Sequence, residues 1–236
     1  MLDAQDWSPE AAVRWLAEAV ETGNPLAALP AEIAPRDLAE AEAVALAVLE
    51  QLELVPCGVR LLYRPGAPPL AGPMIEGRLL PKGATIALDA LRHPQLTAAA
   101  IGVLAEPLLA EVTTPPVFAT LHAAIDVSAT RHAEDAADNI ALTADLARLG
   151  LVVAGRGKRL APGTVPASLA PSGGPRKAVR HDLAAAFEQA ATFARRLGGL
   201  PAGGLLVVAG LTPPLLVTGP ISASLGALGR VEATCG

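Results

Sequence analysis

Aromatic residues make up only 3% of this 236-residue chain and charged residues only 17%, against 52% hydrophobic. A core short of large rings has to be assembled from Ala, Leu and Val, whose small volumes favour close packing of neighbouring elements. Cysteine is nearly absent. Cys57 and Cys235 stand alone with no CxxC spacing and no His pair nearby, which excludes a disulfide framework. Basic runs are short, as in Arg156-Gly157-Lys158-Arg159 and Arg176-Lys177. With a net charge of -5 and a pI near 5.4, they exclude nucleic acid as a partner, because phosphate binding needs a concentrated basic face. No apolar run reaches the roughly 20 residues of a membrane span, since Gly and Pro interrupt GLLVVAGLTPPLLV. The opening MLDAQDWSPE has no basic region followed by an apolar one, so it does not read as a signal peptide. These absences give the expectation of a reduced, cytoplasmic protein without a membrane partner. GxSxG, GxxxxGK[ST] and HExxH are all missing, and His93, His122, His132 and His181 are scattered.

What is present changes character near residue 55. Residues 8–22 have Ser8 as an N-cap candidate, Pro9 for the first helical position and Gly23 as the stop, with Ala12, Trp15, Leu16 and Ala19 on one face. A second helical period runs from about Asp37 to Leu54 through Leu38, Ala41, Ala45, Leu49 and Leu52. From Val55 onward the pattern is of short β-type segments parted by Pro and Gly. The expected organisation is therefore a helical part over 1–54 and a β-rich part over 55–236. One further helix is expected over 178–198, where Val179, Leu183, Phe187, Ala190 and Ala194 form a stripe. The high apolar fraction also points to a surface buried in a homo-oligomer.

The polar positions of interest lie between Val103 and Asn139, where Glu106, Asp126, Arg131 and the Asp138-Asn139 pair are set in apolar or alanine-rich sequence. An ionised carboxylate is costly to bury unless a cation meets it, so acids inside strand-like runs call for a metal or a guanidinium. On a strand, positions 106 and 108 share a face, and an E-x-E spacing there presents two carboxylates to one cation. Here the second position is Leu108. Asp138-Asn139 also suits local capping of backbone groups.

Glu106-Pro107-Leu108, Ala124-Ile125-Asp126 running on to Thr130-Arg131, and Ala137-Asp138-Asn139 follow in the order and spacing of E-P-E, P-A-x-E-x-x-D-S-R and A-D-N. In this the chain resembles the 2-keto-4-pentenoate hydratase family of the fumarylacetoacetate hydrolase superfamily. The resemblance implies an α+β fold, with a small helical N-terminal part and a mixed β-sandwich or roll. It implies a divalent metal, magnesium or manganese, held by Glu106 and Asp126. It implies a small 2-oxo acid as substrate, met by Arg60 in the place of the family's G-x-K lysine, by Glu76 in the G-x-x-x-D turn, and by Arg131, Asp138 and Asn139. The activity implied is hydration of a 2-hydroxydienoate or decarboxylation, with the metal stabilising an enolate.

Arg60 for Lys, Leu108 for Glu and Asp126 for Glu depart from the pattern. They leave a second reading open, a non-catalytic relative that serves as a scaffold, assembly partner or metabolite-binding protein. They also leave open that Arg60 or Arg131 takes the place of the cation.

Overall fold

The computed structural model describes residues 7–135 and 138–236. Helix α1 (Glu10–Thr22) starts one residue later than expected, with Pro9 itself at the N-cap, and Gly23 ends it in the left-handed conformation at φ 71°. Helix α2 (Leu38–Gln51) is capped by Asp37, whose carboxylate accepts from the Glu40 amide.

The strands that follow are β1 (Pro56–Arg64), β2 (Ala67–Ile75), β3 (Leu79–Pro81), β4 (Thr85–Ile86), β5 (Arg92–Leu104), β6 (Leu108–Leu109) and β7 (Phe118–Thr130). After the short helix α3 (Asn139–Ala144) come β8 (Leu149–Ala154), β9 (Thr164–Pro171) and β10 (Val179–Asp182). Helix α4 (Leu183–Arg196), β11 (Gly199–Leu200), β12 (Leu205–Ala209), β13 (Gly219–Leu225) and β14 (Arg230–Cys235) complete the chain. The helix expected from residue 178 begins only at Leu183. Residues 179–182 are a strand paired with β9, and Asp182 caps the helix by accepting from the Ala184 and Ala185 amides.

A seven-stranded mixed sheet, in the order β2-β1-β12-β5-β7-β8-β3, is the central layer. Both of its faces are covered, which is why its strands read as nearly continuous apolar runs. One face, with Val59, Leu61, Ala98, Ala100, Ile125 and Val127, packs against α4 and the five-stranded sheet β10-β9-β13-β14-β4. The other face, with Leu62, Ala99, Ile101, Ala124 and Val207, packs against α1, α2 and α3. This is the α+β architecture expected from the sequence. The second face also carries polar groups, because Arg60 in β1, Gln95 and Thr97 in β5, and Asp126 and Ser128 in β7 alternate with the apolar residues of the first.

Candidate functional site

The β5–β7 register places Thr97 opposite Asp126 and Gln95 opposite Ser128, so four polar side chains form a block on the helix-covered face. Across β12 and β5, the Arg60 guanidinium reaches Asp126 with a two-pronged pair. Nε donates to Oδ1 at 2.6 Å and Nη2 to Oδ2 at 2.7 Å. Its Nη1 donates to the Ala147 carbonyl at 2.9 Å. Both side chains are fully enclosed, at 1% and 0% exposure, so each charge depends on the other for its solvation.

The carbonyl of Ala147 is available because Leu146, Ala147 and Arg148 all have left-handed backbones, at φ 51°, 50° and 58°. None of them is glycine, so the turn is held against local preference by its surroundings. Arg131 supplies part of that restraint. It pairs with the buried Asp145 and donates to the Leu149 and Asp145 carbonyls, both at 2.6 Å. Gly72 supplies the space, since a Cβ there would lie 2.6 Å from the Ala147 methyl.

Beside this sealed pair lies an open cavity of about 350 Å³, to which Arg64, Gln95, Thr97, Ser128, Arg148 and Thr212 contribute polar groups. Thr97 Oγ1 accepts from the Gly210 amide and Thr212 Oγ1 from the Ala98 amide, both at 3.0 Å. Arg148 pairs with Asp135 and donates to the His93 carbonyl at 3.0 Å. Arg64 donates to Asn139 Oδ1 and, at 3.3 Å, to the Pro68 carbonyl. Burial pushes the Arg64 guanidinium below its ordinary pKa and the positive charge of Arg148 adds to this, while Asp135 acts the other way. A larger cavity of about 540 Å³ opens between residues 27–35 on one side and residues 132–134 and 138–141 on the other, lined mostly by Ala, Leu and Pro. Convergence of polar groups, rather than size, picks out the smaller one.

Of the residues singled out in the sequence, Arg60 and Asp126 are brought together and Asn139 reaches Arg64. Arg131 is turned to the Asp145 turn, and Asp138 caps α3 by accepting from the Ile140 and Ala141 amides at 3.2 Å. Glu76 is exposed in a turn that follows β2.

The pairing of Glu106 with Asp126 is corrected by register. Asp126 faces Thr97, and Leu104 lies seven residues further along β5. That separation is about 23 Å at ~3.3 Å per residue, and the exposed Glu106 lies beyond it. The positions two apart that face Asp126 and its neighbour are Gln95 and Thr97, neither of them an acid. Among the described residues no group of three or more His, Cys, Asp and Glu side chains is placed to hold a metal ion. The donor set therefore does not fit the magnesium or manganese that the resemblance implied. The buried acids on this side, Asp126 in the sheet and Asp145 beside it, are each already matched by a guanidinium.

Sequence reasoning missed Arg64, Gln95, Thr97, Ser128 and Arg148. The spacing of Gln95-Leu96-Thr97 was a usable signal, but nothing local marked Arg148.

No protein-family model and no curated protein matches the sequence. Solved structures do resemble it. The 4-oxalocrotonate decarboxylase of Pseudomonas putida G7, complexed with magnesium and adipate, superposes with a TM-score of 0.78 at 18% identity, covering 96% of this chain and 98% of that one. The fumarylpyruvate hydrolase of Pseudomonas aeruginosa, in complex with Mn2+ and pyruvate, gives 0.54 at 11% identity over 72% and 79%. A 2-hydroxyhepta-2,4-diene-1,7-dioate isomerase from Mycobacterium marinum gives 0.55 at 12% identity over 77% and 76%. At such identities the likeness establishes the fold. It is a fold of the fumarylacetoacetate hydrolase type, the architecture that the sequence resemblance implied.

Proposed function

We propose that this chain takes a small 2-oxo acid, or a closely related short carboxylate, into the cavity beside the Arg60–Asp126 pair and acts on it without a divalent metal. The observation that carries the reading is that pair. In it a fixed positive group of the protein meets the buried Asp126 of the polar face, two-pronged and fully enclosed. The ligand class is supported by the fold neighbours, which were solved with adipate and with pyruvate. A lyase-type reaction on such an acid develops negative charge on an enolate oxygen, and preorganised donors in a dry site stabilise that charge. Arg64 and Arg148 at the cavity wall are donors of the required kind.

One observation favours a second reading, a binding protein without turnover. Among the described residues Asp135 is the only carboxylate lining this cavity, and it is committed to Arg148. A proton transfer needs a base with a free lone pair within reach of the ligand.

The test is incubation of EDTA-treated protein with a panel of short 2-oxo acids and 2-hydroxydienoates. Binding is followed by ligand-observed NMR, and conversion by loss of dienoate absorbance and by chromatography of the products. Binding with conversion is expected for the lyase reading, and binding without conversion for the second. No binding by any member of the panel overturns both.

A further inference from the structure

We propose that Arg64 and Arg148 together form the anchor for the ligand's carboxylate, through the guanidinium groups they contribute to the cavity wall. This assignment rests on the reading of the cavity as a short-carboxylate site and names the residues that make it one.

The two arginines arrive from different parts of the chain. Arg64 ends β1, just after an irregularity of the β1–β2 register between Leu62 and Arg64. Such irregularities re-aim side chains at the ends of strands. Arg148 is enclosed, with 4% of its side chain exposed, and is the last of the three left-handed residues of the turn. The restraints on that turn, from Arg131, from Arg60 and from the space at Gly72, all act to keep Arg148 where it is.

A count of donors and acceptors at the cavity wall decides what it would take. A guanidinium has five N–H donors and no acceptor. In Arg64 the named contacts use Nη2, and in Arg148 they use Nη1 and Nη2. The Nε of each is buried and has no partner among the described residues. Thr97 and Thr212 accept backbone amides through Oγ1, so their hydroxyl protons remain to be donated. Unused polarity at the wall is therefore mostly donor. Buried donors without acceptors are rare in folded proteins, and where they occur an absent ligand or water is the usual explanation.

Charge agrees with this count. Two guanidiniums near each other face a single carboxylate among the described residues, Asp135, whose side chain is 43% exposed. One positive charge is left over, and burial and the Arg148 charge both disfavour ionised Arg64. An anion between the two arginines removes that conflict, because each charge then meets an opposite one at close range. A short carboxylate suits the arrangement better than an uncharged ligand, since its oxygens are acceptors only. The cavity, at about 350 Å³, is of the size that encloses a small molecule.

The experiment is calorimetric titration of pyruvate into the EDTA-treated full chain and into Arg64→Gln and Arg148→Gln, with thermal melts to confirm folding. Each substitution removes a charge-assisted bond, and the affinity is expected to fall by about tenfold or more. In the unsubstituted protein, 15N NMR of the arginine side chains is expected to move two Nε–H signals downfield on adding pyruvate. Each of the two signals should be missing from one variant. That readout does not depend on how well Arg148→Gln folds. If the parent protein binds no short carboxylate, the functional reading fails. If it binds pyruvate, but both variants bind within about twofold of it and no Nε–H signal moves, the functional reading stands and the anchor assignment is overturned. Inorganic phosphate is the control ligand, and binding as tight as that of pyruvate overturns the carboxylate assignment.

Discussion

Arg60 and Arg64 lie on the same strand, yet one is locked and the other open. Arg60 has a carboxylate on two of its nitrogens and a carbonyl on the third, and is 1% exposed. Arg64 is half-buried beside another arginine, with its Nε unpartnered among the described residues. The difference teaches that a guanidinium in an apolar wall serves one of two ends. Where each of its nitrogens is used it is part of the fold, and where a nitrogen is left over the group is free to meet something that arrives later.

The largest effect is expected at the locked end. Asp126→Asn or Arg60→Met leaves a buried charge without its partner, which costs about 3–5 kcal/mol. For a chain of this size each kcal/mol moves the midpoint by about 2–4 °C, so calorimetry should find a drop of roughly 10 °C or more. The double variant Arg60→Met/Asp126→Leu removes both charges and should recover most of that loss. A single variant that melts like the parent would break the comparison, because Arg60 would then not be structural.

Next comes Gly72→Ala, which joins the two regions. The added methyl meets Ala147 at 2.6 Å, so the left-handed turn has to move. Overpacking of this kind costs about 1–3 kcal/mol, to be read from urea melts. Because Arg148 ends the same turn, carboxylate affinity should fall as well. Stability lost without any change in affinity would separate the turn from the cavity.

The smallest effect is expected at the open end. Arg64→Gln should leave stability within about 0.5 kcal/mol of the parent, since burial and the Arg148 charge already disfavour the ion it removes. Urea melts of Arg64→Gln and Arg60→Met side by side are the sharpest form of the contrast. Equal losses would erase it.

Much of this arrangement was legible before the fold was known. The change of period near residue 55 marked the passage from helices to strands, and β1 begins at Pro56. Asp126 was recognisable as an acid in need of a cation, and Arg60 was among the cations considered for it. Register was not legible. The E-x-E spacing was matched at Glu106, but β5 is a 13-residue apolar strand, and only its pairing reveals that Gln95 and Thr97 face Asp126 and its neighbour. The strand at 179–182 was absorbed into the helix after it, because four residues are too few for an alternation to stand out beside a helical stripe. The turn at 146–148 had no local signature at all. It contains Leu, Ala and Arg, none of which favours a left-handed backbone, and only contacts distant in sequence hold it.

The most direct measurement is titration of the EDTA-treated protein with manganese, followed by electron paramagnetic resonance of the free hydrated ion. If the guanidinium of Arg60 has taken the cation's place, the free-ion signal should grow in proportion to added manganese, as it does in buffer alone, and Asp126→Ala should behave the same way. A stoichiometric loss of free-ion signal in the parent protein that Asp126→Ala abolishes would contradict it.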